Sequence, residues 1–186
     1  MADKPKERKN EWWDWLKALL IALGVAFIIR TFFFAAIVVD GPSMLPTLQN
    51  GDQMIVNKFT YHFQEPERYD IVVFHASSEK DFIKRVIGLP GEHVEVKDNV
   101  LYINGKEMSQ PFLTDQQAYQ IQTNDFTLED LPGKHHKIPE NYVLVLGDNR
   151  ENSTDSRVIG LVSLDQIVGK TGLIYWPIDR IQIIGK

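Results

Sequence analysis

The stretch FIKRVIGLPG, residues 82–91, sets the reading of the fold. Successive side chains of a β-strand point to opposite faces, so Phe82, Lys84 and Val86 fall on one side and Ile83, Arg85 and Ile87 on the other. Gly88 and the Pro90-Gly91 pair then stop the run. Lys84 therefore shares a face with Phe and Val, and from the residues alone it is at a sheet edge, snorkelling, or buried and neutral, the first two being commoner for a lysine. Short Val-, Ile- and Phe-rich runs of the same kind recur after Ala35 between Gly, Pro, Asn and Asp, and predict a mostly β domain. Candidate strands are Ile37–Val39, Gln53–Asn57, Ile71–Phe74, Phe82–Ile87, His93–Val96, Val100–Ile103, Tyr142–Leu146 and Thr171–Tyr175. Asp98-Asn99 and Asn104-Gly105 suit tight turns that need positive φ. Ser163 and Gln166 have capping-box spacing, predicting a short helix that Gly169 could end. Residues 109–141 are polar and contain KHHK, so they read as an excursion from the sheet.

Before Ala35 the period changes. MADKPKERKN is polar and basic, EWWDWLK follows, and residues Ala18 to Ile29 are twelve uncharged positions in a row. Twelve are too few for a bilayer, which needs about 20 residues of helix. Apolar character resumes beyond Arg30, however, so a helix from about Trp13 to Phe34 is long enough. Lys17 and Arg30 can extend to the two interfaces and Trp12, Trp13 and Trp15 suit the aromatic belt. The expected organisation is a cytoplasmic tail over 1–12, a single-pass transmembrane signal anchor over 13–36 and an extracytoplasmic β domain over 37–186. A cleaved signal peptide, ending near Ala35-Ala36, is the rival reading.

Charge narrows the function classes. Of 186 residues, 20 are Lys or Arg and 25 are Asp or Glu; the part after Arg30 holds 14 basic against 21 acidic. That part lacks the basic stripe that phosphate neutralisation requires, which argues against a nucleic-acid partner. With no cysteine there is no disulfide, thiolate nucleophile or Cys-bound zinc. No HExxH is present, and the acidic loop from Asp148 to Asp155 lacks the glycine and terminal glutamate of an EF-hand, so neither a metal nor a cofactor is expected.

Four segments are rich in residues that chemistry uses: GPSMLPTL (41–48), GDQMIVNK (51–58), FIKRVIGLPG (82–91) and GDNRENSTDSR (147–157). A serine hydroxyl is a weak nucleophile until a base takes its proton. Lysine can be that base only when neutral, so its pKa must fall well below about 10.4. Apolar neighbours such as Phe82 and Val86 push it down by depriving the ammonium of water. Arg85, on the opposite face, is assigned to structure. Five histidines, His62, His75, His93, His135 and His136, are rival bases, but none lies in these segments.

Together, SMxPT, KRVxGxPG and GDNRxNSxDSR in one N-terminally anchored chain resemble the boxes of the type I signal peptidases, membrane-bound serine proteases that remove signal peptides from exported preproteins. The single anchor and small insert look like the Bacillus-type branch. The resemblance covers almost the whole chain. It implies a signal-peptidase-like β fold, with Ser43 as nucleophile and Lys84 as general base. It also implies that the Ser153 hydroxyl orients the lysine, that Asp155 and Arg157 occupy structural ion-pair positions, and that Asp148 and Arg150 belong to the same box. The Ser43 N–H is the first oxyanion donor. Where many relatives carry a hydroxyl two residues before the nucleophile, this chain has Gly41, which leaves a backbone group or water as the second. Substrate binds as an added strand, with small residues one and three positions before the cut, against walls that include Val39 and Ile83. The implied partners are signal peptides of secreted preproteins and the lipid bilayer. A self-cleaving Ser-Lys protease of the SOS-repressor type and a non-catalytic anchored β domain are the alternatives.

Overall fold

The computed structural model describes residues 11–113 and 122–184. Its first element is α1, Glu11–Phe32, in which Trp12–Phe32 is a 21-residue, largely apolar stretch of mean hydropathy 1.9 with none of its residues buried by the rest of the chain. An exposed helix whose apolar residues lie on every face, with its charges near the two ends, has the length and composition to cross a membrane. The expected tail over 1–12 lies almost entirely outside the described residues.

The helix ends earlier than expected. Strand β1 occupies Phe34–Val38, so residues 34–36 belong to the sheet and not to the anchor. Its ladder to β2, Gln53–Asn57, starts at Phe34 opposite Asn57. Hydropathy could not mark this boundary, because FFFAAIVV is apolar throughout and only the ladder separates helix from strand.

The other strands are β3 (Ile71–His75), β4 (Asp81–Gly88), β5 (Val94–Lys97), β6 (Val100–Ile103), β7 (Lys106–Met108), β8 (Phe126–Thr127), β9 (Tyr142–Leu146), β10 (Val162–Ser163), β11 (Ile167–Trp176) and β12 (Gln182–Ile183). They form two antiparallel sheets. The larger has the order β1-β2-β11-β3-β4-β9-β10, with β12 also paired to β11; the smaller has the order β7-β6-β5-β8. The mostly β architecture expected from the sequence is therefore present.

The two tight turns lie where their composition places them: Asp98, Asn99, Asn104 and Gly105 all have positive φ and join β5 to β6 and β6 to β7. The polar excursion is more integrated than expected. The smaller sheet begins at Val94, and Phe126–Thr127, inside the excursion, pairs with β5. Leu128, Leu131 and Ile138 are buried in one core with Val94, Leu101 and, from the larger sheet, Ile87, Leu144 and Leu146. A few apolar residues scattered through a polar run are enough to close this core, and they have no period to betray them.

The Ser163–Gln166 capping box is made, but the helix it starts is a single 3-10 turn, Leu164–Gln166. Gly169 does not end it. β-branched Ile167 and Val168 continue directly into β11, where Ile167 lies opposite Phe74. A short helix that the sequence did not suggest, α2 (Ser156–Ile159), follows Asp155, whose carboxylate accepts from the Arg157 N–H at its first turn.

Candidate active site

Strand β4 carries Lys84 through the middle of the larger sheet, opposite Val72 of β3. On the same face, Val72, Phe74, Val86, Val143 and Val145 build an apolar core against which Phe82 packs. Lys84 is only 3% exposed. Its Nζ lies 2.8 Å from Ser43 Oγ and 2.9 Å from the Ile83 carbonyl, and 5.0 Å from the centroid of the Phe82 ring. Burial lowers its pKa to about 8, while the carboxylates of Asp155 and then Asp148 oppose the fall. The amine is thus available in quantity at mildly alkaline pH, a requirement for a general base.

Ser43 reaches this point on a turn whose flanks are anchored in apolar packing. Val39, Met44 and Leu48 are buried together with Met54, Ile71 and Ile174. Leu45 N–H donates to the Pro42 carbonyl and Leu48 N–H to that of Met44, which coils the segment after the serine. Gly41 sits at φ +97°, in the left-handed region open to glycine, and its N–H donates to Asn50 Oδ1 at 2.9 Å. That bond commits the Gly41 N–H elsewhere and removes it as an oxyanion donor in this arrangement. The Ser43 N–H has no partner among the described residues.

The segment 147–157 locks the nucleophile turn from behind. Asn149 N–H donates to the Ser43 carbonyl at 3.1 Å, and its Nδ2 donates to the Pro42 carbonyl at the same distance. Gly147 is there because nothing larger fits: a Cβ would stand 2.2 Å from Ser153 Oγ and 2.5 Å from the Ser43 carbonyl oxygen. Thr47 Oγ1, four residues after the nucleophile, donates to Asp148 Oδ2 at 2.6 Å. Asp148 also receives Arg85 Nε at 2.8 Å and Nη2 at 2.6 Å in a pair buried on both sides. The pair ties the nucleophile turn to the strand that carries Lys84. Asp155 accepts from Arg157 Nε and Nη2 at 2.9 and 2.8 Å and from Gly147 N–H at 2.9 Å. Although burial works to raise the Asp155 pKa, these bonds together bring it below the usual carboxylate value. Buried Arg150 holds the Gly147 carbonyl at 3.0 Å, Thr123 Oγ1 at 3.3 Å and Gln110.

Ser43 and Lys84, chosen from the sequence, therefore meet at hydrogen-bonding distance. Val39 and Ile83 line the same groove, of about 500 Å³, together with Val38, Asp40, Val73, Asp81, Asn152 and Thr154. Ser153 behaves differently from its expected role. Its Oγ is buried without a partner at hydrogen-bonding geometry, so it makes no bond to Lys84 here, though it lies near enough to Asp155 to help hold that carboxyl down. Arg85 has the structural part expected of it. Missing from the sequence reading were Asn149, Thr47 and Asn50, all tethers of the nucleophile turn. Their partners are backbone groups or residues up to 107 positions away, and nothing local announces them. No described histidine side chain lines the groove. His75 pairs with Asp81, and His93 and His136 both meet Glu129.

Lys84 is buried against Ser43 in a β domain that follows an apolar helix, and the chain belongs to the signal peptidase family, peptidase S26, whose family model matches residues 12–176. Members of this family are serine endopeptidases. Signal peptidase I of Bacillus caldolyticus is 44% identical over 180 residues, covering 95% of this chain and 96% of that protein. Signal peptidase IB of Staphylococcus aureus is 41% identical over 179 residues, covering 92% and 93%. Among solved structures, the crystal structure of a signal peptidase I from Enterococcus faecalis matches with a TM-score of 0.52 at 40% identity, over 57% of this chain and 97% of that one.

Proposed function

We propose that this chain is a membrane-anchored signal peptidase that cleaves signal peptides from exported preproteins with a Ser43–Lys84 dyad. The observation that carries the reading is the 2.8 Å approach of Lys84 Nζ to Ser43 Oγ, with the amine held near pKa 8 by burial. Neutral Lys84 takes the Ser43 proton as Oγ attacks the scissile carbonyl carbon. The resulting oxyanion is received by the free Ser43 N–H, and losing such a donor typically costs about 3 kcal/mol in the transition state. The Lys84 ammonium then protonates the leaving amine, and an ester joins Ser43 to the signal peptide. Water attacks that ester with Lys84 again as base, and the enzyme is restored.

Substrate enters the groove as an extended strand between residues 38–41 and 81–84. Main-chain pairing supplies affinity, and side-chain space at alternate positions supplies selectivity. Val39 and Ile83 leave room only for small side chains near the cut. Asp155–Arg157, Asp148–Arg85 and Arg150 hold the loop geometry without touching the reacting atoms, and Ser153 lies beside Asp155 in the same loop. The α1 helix spans the bilayer with the N-terminus in the cytoplasm, because Lys and Arg concentrate in the first ten residues. The catalytic domain then stands at the outer face, where a translocated signal peptide ends. The test is incubation of the detergent-solubilised full chain with a preprotein, wild type beside Ser43→Ala. Processing by the wild type alone supports the reading, and equal processing by both ends it.

A further inference from the structure

The charged residues lining the groove are Lys84, Asp40 and Asp81. Each carboxylate stands three positions before one member of the dyad, Asp40 before Ser43 and Asp81 before Lys84. Asp81 begins strand β4, about 10 Å of extended chain before Lys84, and Asp40 lies on the other segment of the lining, just before the turn that Gly41 opens. Asp40 is exposed and has no ion-pair partner among the described residues. Asp81 has a side chain 52% exposed and meets His75 Nδ1 at 2.6 Å. Between them the walls are apolar, built from Val38, Val39, Val73, Phe82 and Ile83. The working form of Lys84 is neutral. With Lys84 in that neutral form, the carboxylates of Asp40 and Asp81 are the only charged groups on the described lining of the groove.

We infer that Asp40 and Asp81 are specificity-determining residues: they favour preproteins with Lys or Arg, and reject those with Asp or Glu, at positions a few residues from the cut. The inference rests on the groove being the substrate site and deepens that reading. An extended substrate pairing with residues 38–41 and 81–84 passes both carboxylates. A basic side chain there gains a partner, while an acidic one meets two fields of its own sign. Both carboxylates face water, so the effect on one substrate position is modest, up to about five-fold per exposed pair, and weakens as salt rises.

The experiment uses detergent-solubilised full chain and peptides spanning one cleavage site, in which each flanking position in turn is Lys, Gln or Glu. The readout is the ratio of kcat/KM for the Lys and Glu peptides. The wild type should give a ratio of about two to five at one or more positions at low salt, contracting toward one in high salt. Asp40→Asn and Asp81→Asn should each shrink the ratio at a particular position, whatever their absolute rates. A wild-type ratio near one at every position overturns the inference, and so does a ratio that neither salt nor either variant changes. The salt titration needs only the wild type, so the test survives a variant that does not fold. Failure of the dyad reading looks different, since Ser43→Ala would then still cleave every peptide in the set.

Discussion

Arg85 and Asp148 form a buried, two-pronged ion pair, at 2.8 and 2.6 Å, that joins the lysine-bearing strand to the loop behind the nucleophile. Arg85 is adjacent to Lys84 but points to the other face, where it also donates to the Tyr69 carbonyl and lies 4.0 Å from the Phe112 ring centroid. Thr47 adds a third donor to the same carboxylate, from the nucleophile turn itself. One carboxylate thus registers Ser43 and Lys84 against each other through two different chain segments.

Removing one member of that pair leaves the other buried without a counter-charge. Asp148→Ala and Arg85→Ala should each destabilise the domain by about 3 to 5 kcal/mol, as read from denaturant unfolding. Thr47→Val, which removes one hydrogen bond, should cost about 1 kcal/mol. A stability loss in Thr47→Val as large as in Asp148→Ala would contradict the assignment of the pair as the main tie.

Gly147→Ala puts a methyl group into space held by the Ser43 carbonyl and the Ser153 side chain. The nucleophile turn must shift by more than its hydrogen bonds from Asn149 allow. Turnover of a preprotein should fall by about 100-fold, as misplacement of a reacting group by about 1 Å does, while the protein remains folded. Circular dichroism with a processing assay checks both parts, and undiminished turnover would show that the contact is soft.

Burial of Lys84 also has a signature in stability. The folded chain holds this lysine at a pKa of about 8, below an unfolded value of about 10.4. Between those values the unfolded chain binds a proton that the folded chain does not, so folding stability gains with pH across that window. Relative to Lys84→Met, the wild type should therefore recover stability as pH rises from about 8 toward 10. Parallel denaturant curves at the two ends would show no recovery if the lysine were not depressed by burial.

Much of this was legible in the sequence, but unevenly. Strand alternation around Lys84 gave the right faces for Lys84 and Arg85, because a period of two is a local property. Asn-Gly and Asp-Asn turns were readable for the same reason. The end of the helix at Phe32 was not, since the residues on both sides are equally apolar and a strand ladder with Gln53–Asn57 decides it. Gly169 was misread because a glycine after a capping box has two meanings, and β-branched Ile167-Val168 selects the strand. Within the site, Ser43 and Lys84 followed from residue type and family resemblance together. The tethers Asn149 and Thr47 did not, because a side chain that holds a distant carbonyl or carboxylate has no sequence period. Ser153 is placed beside Asp155 and Gly147, and its expected bond to Lys84 is not made in this arrangement.

Topology can be read with single cysteines, because the chain has none of its own. Ser78→Cys lies in the exposed turn between β3 and β4. In intact cells it should react fully with a membrane-impermeant maleimide. Labelling only after lysis would place the catalytic domain on the cytoplasmic side and reverse the proposed orientation.

The dyad itself is tested most directly by preprotein cleavage as a function of pH, with wild type, Ser43→Ala and Lys84→Arg compared side by side in detergent. The wild-type rate should climb as pH passes through about 8, where Lys84 loses its proton. Both variants should be slower by about 1,000-fold or more at every pH, because arginine keeps the charge but cannot give up the proton. Cleavage by Lys84→Arg at a tenth of the wild-type rate, alongside an inert variant at one of the histidines, would contradict the dyad and put a histidine in its place.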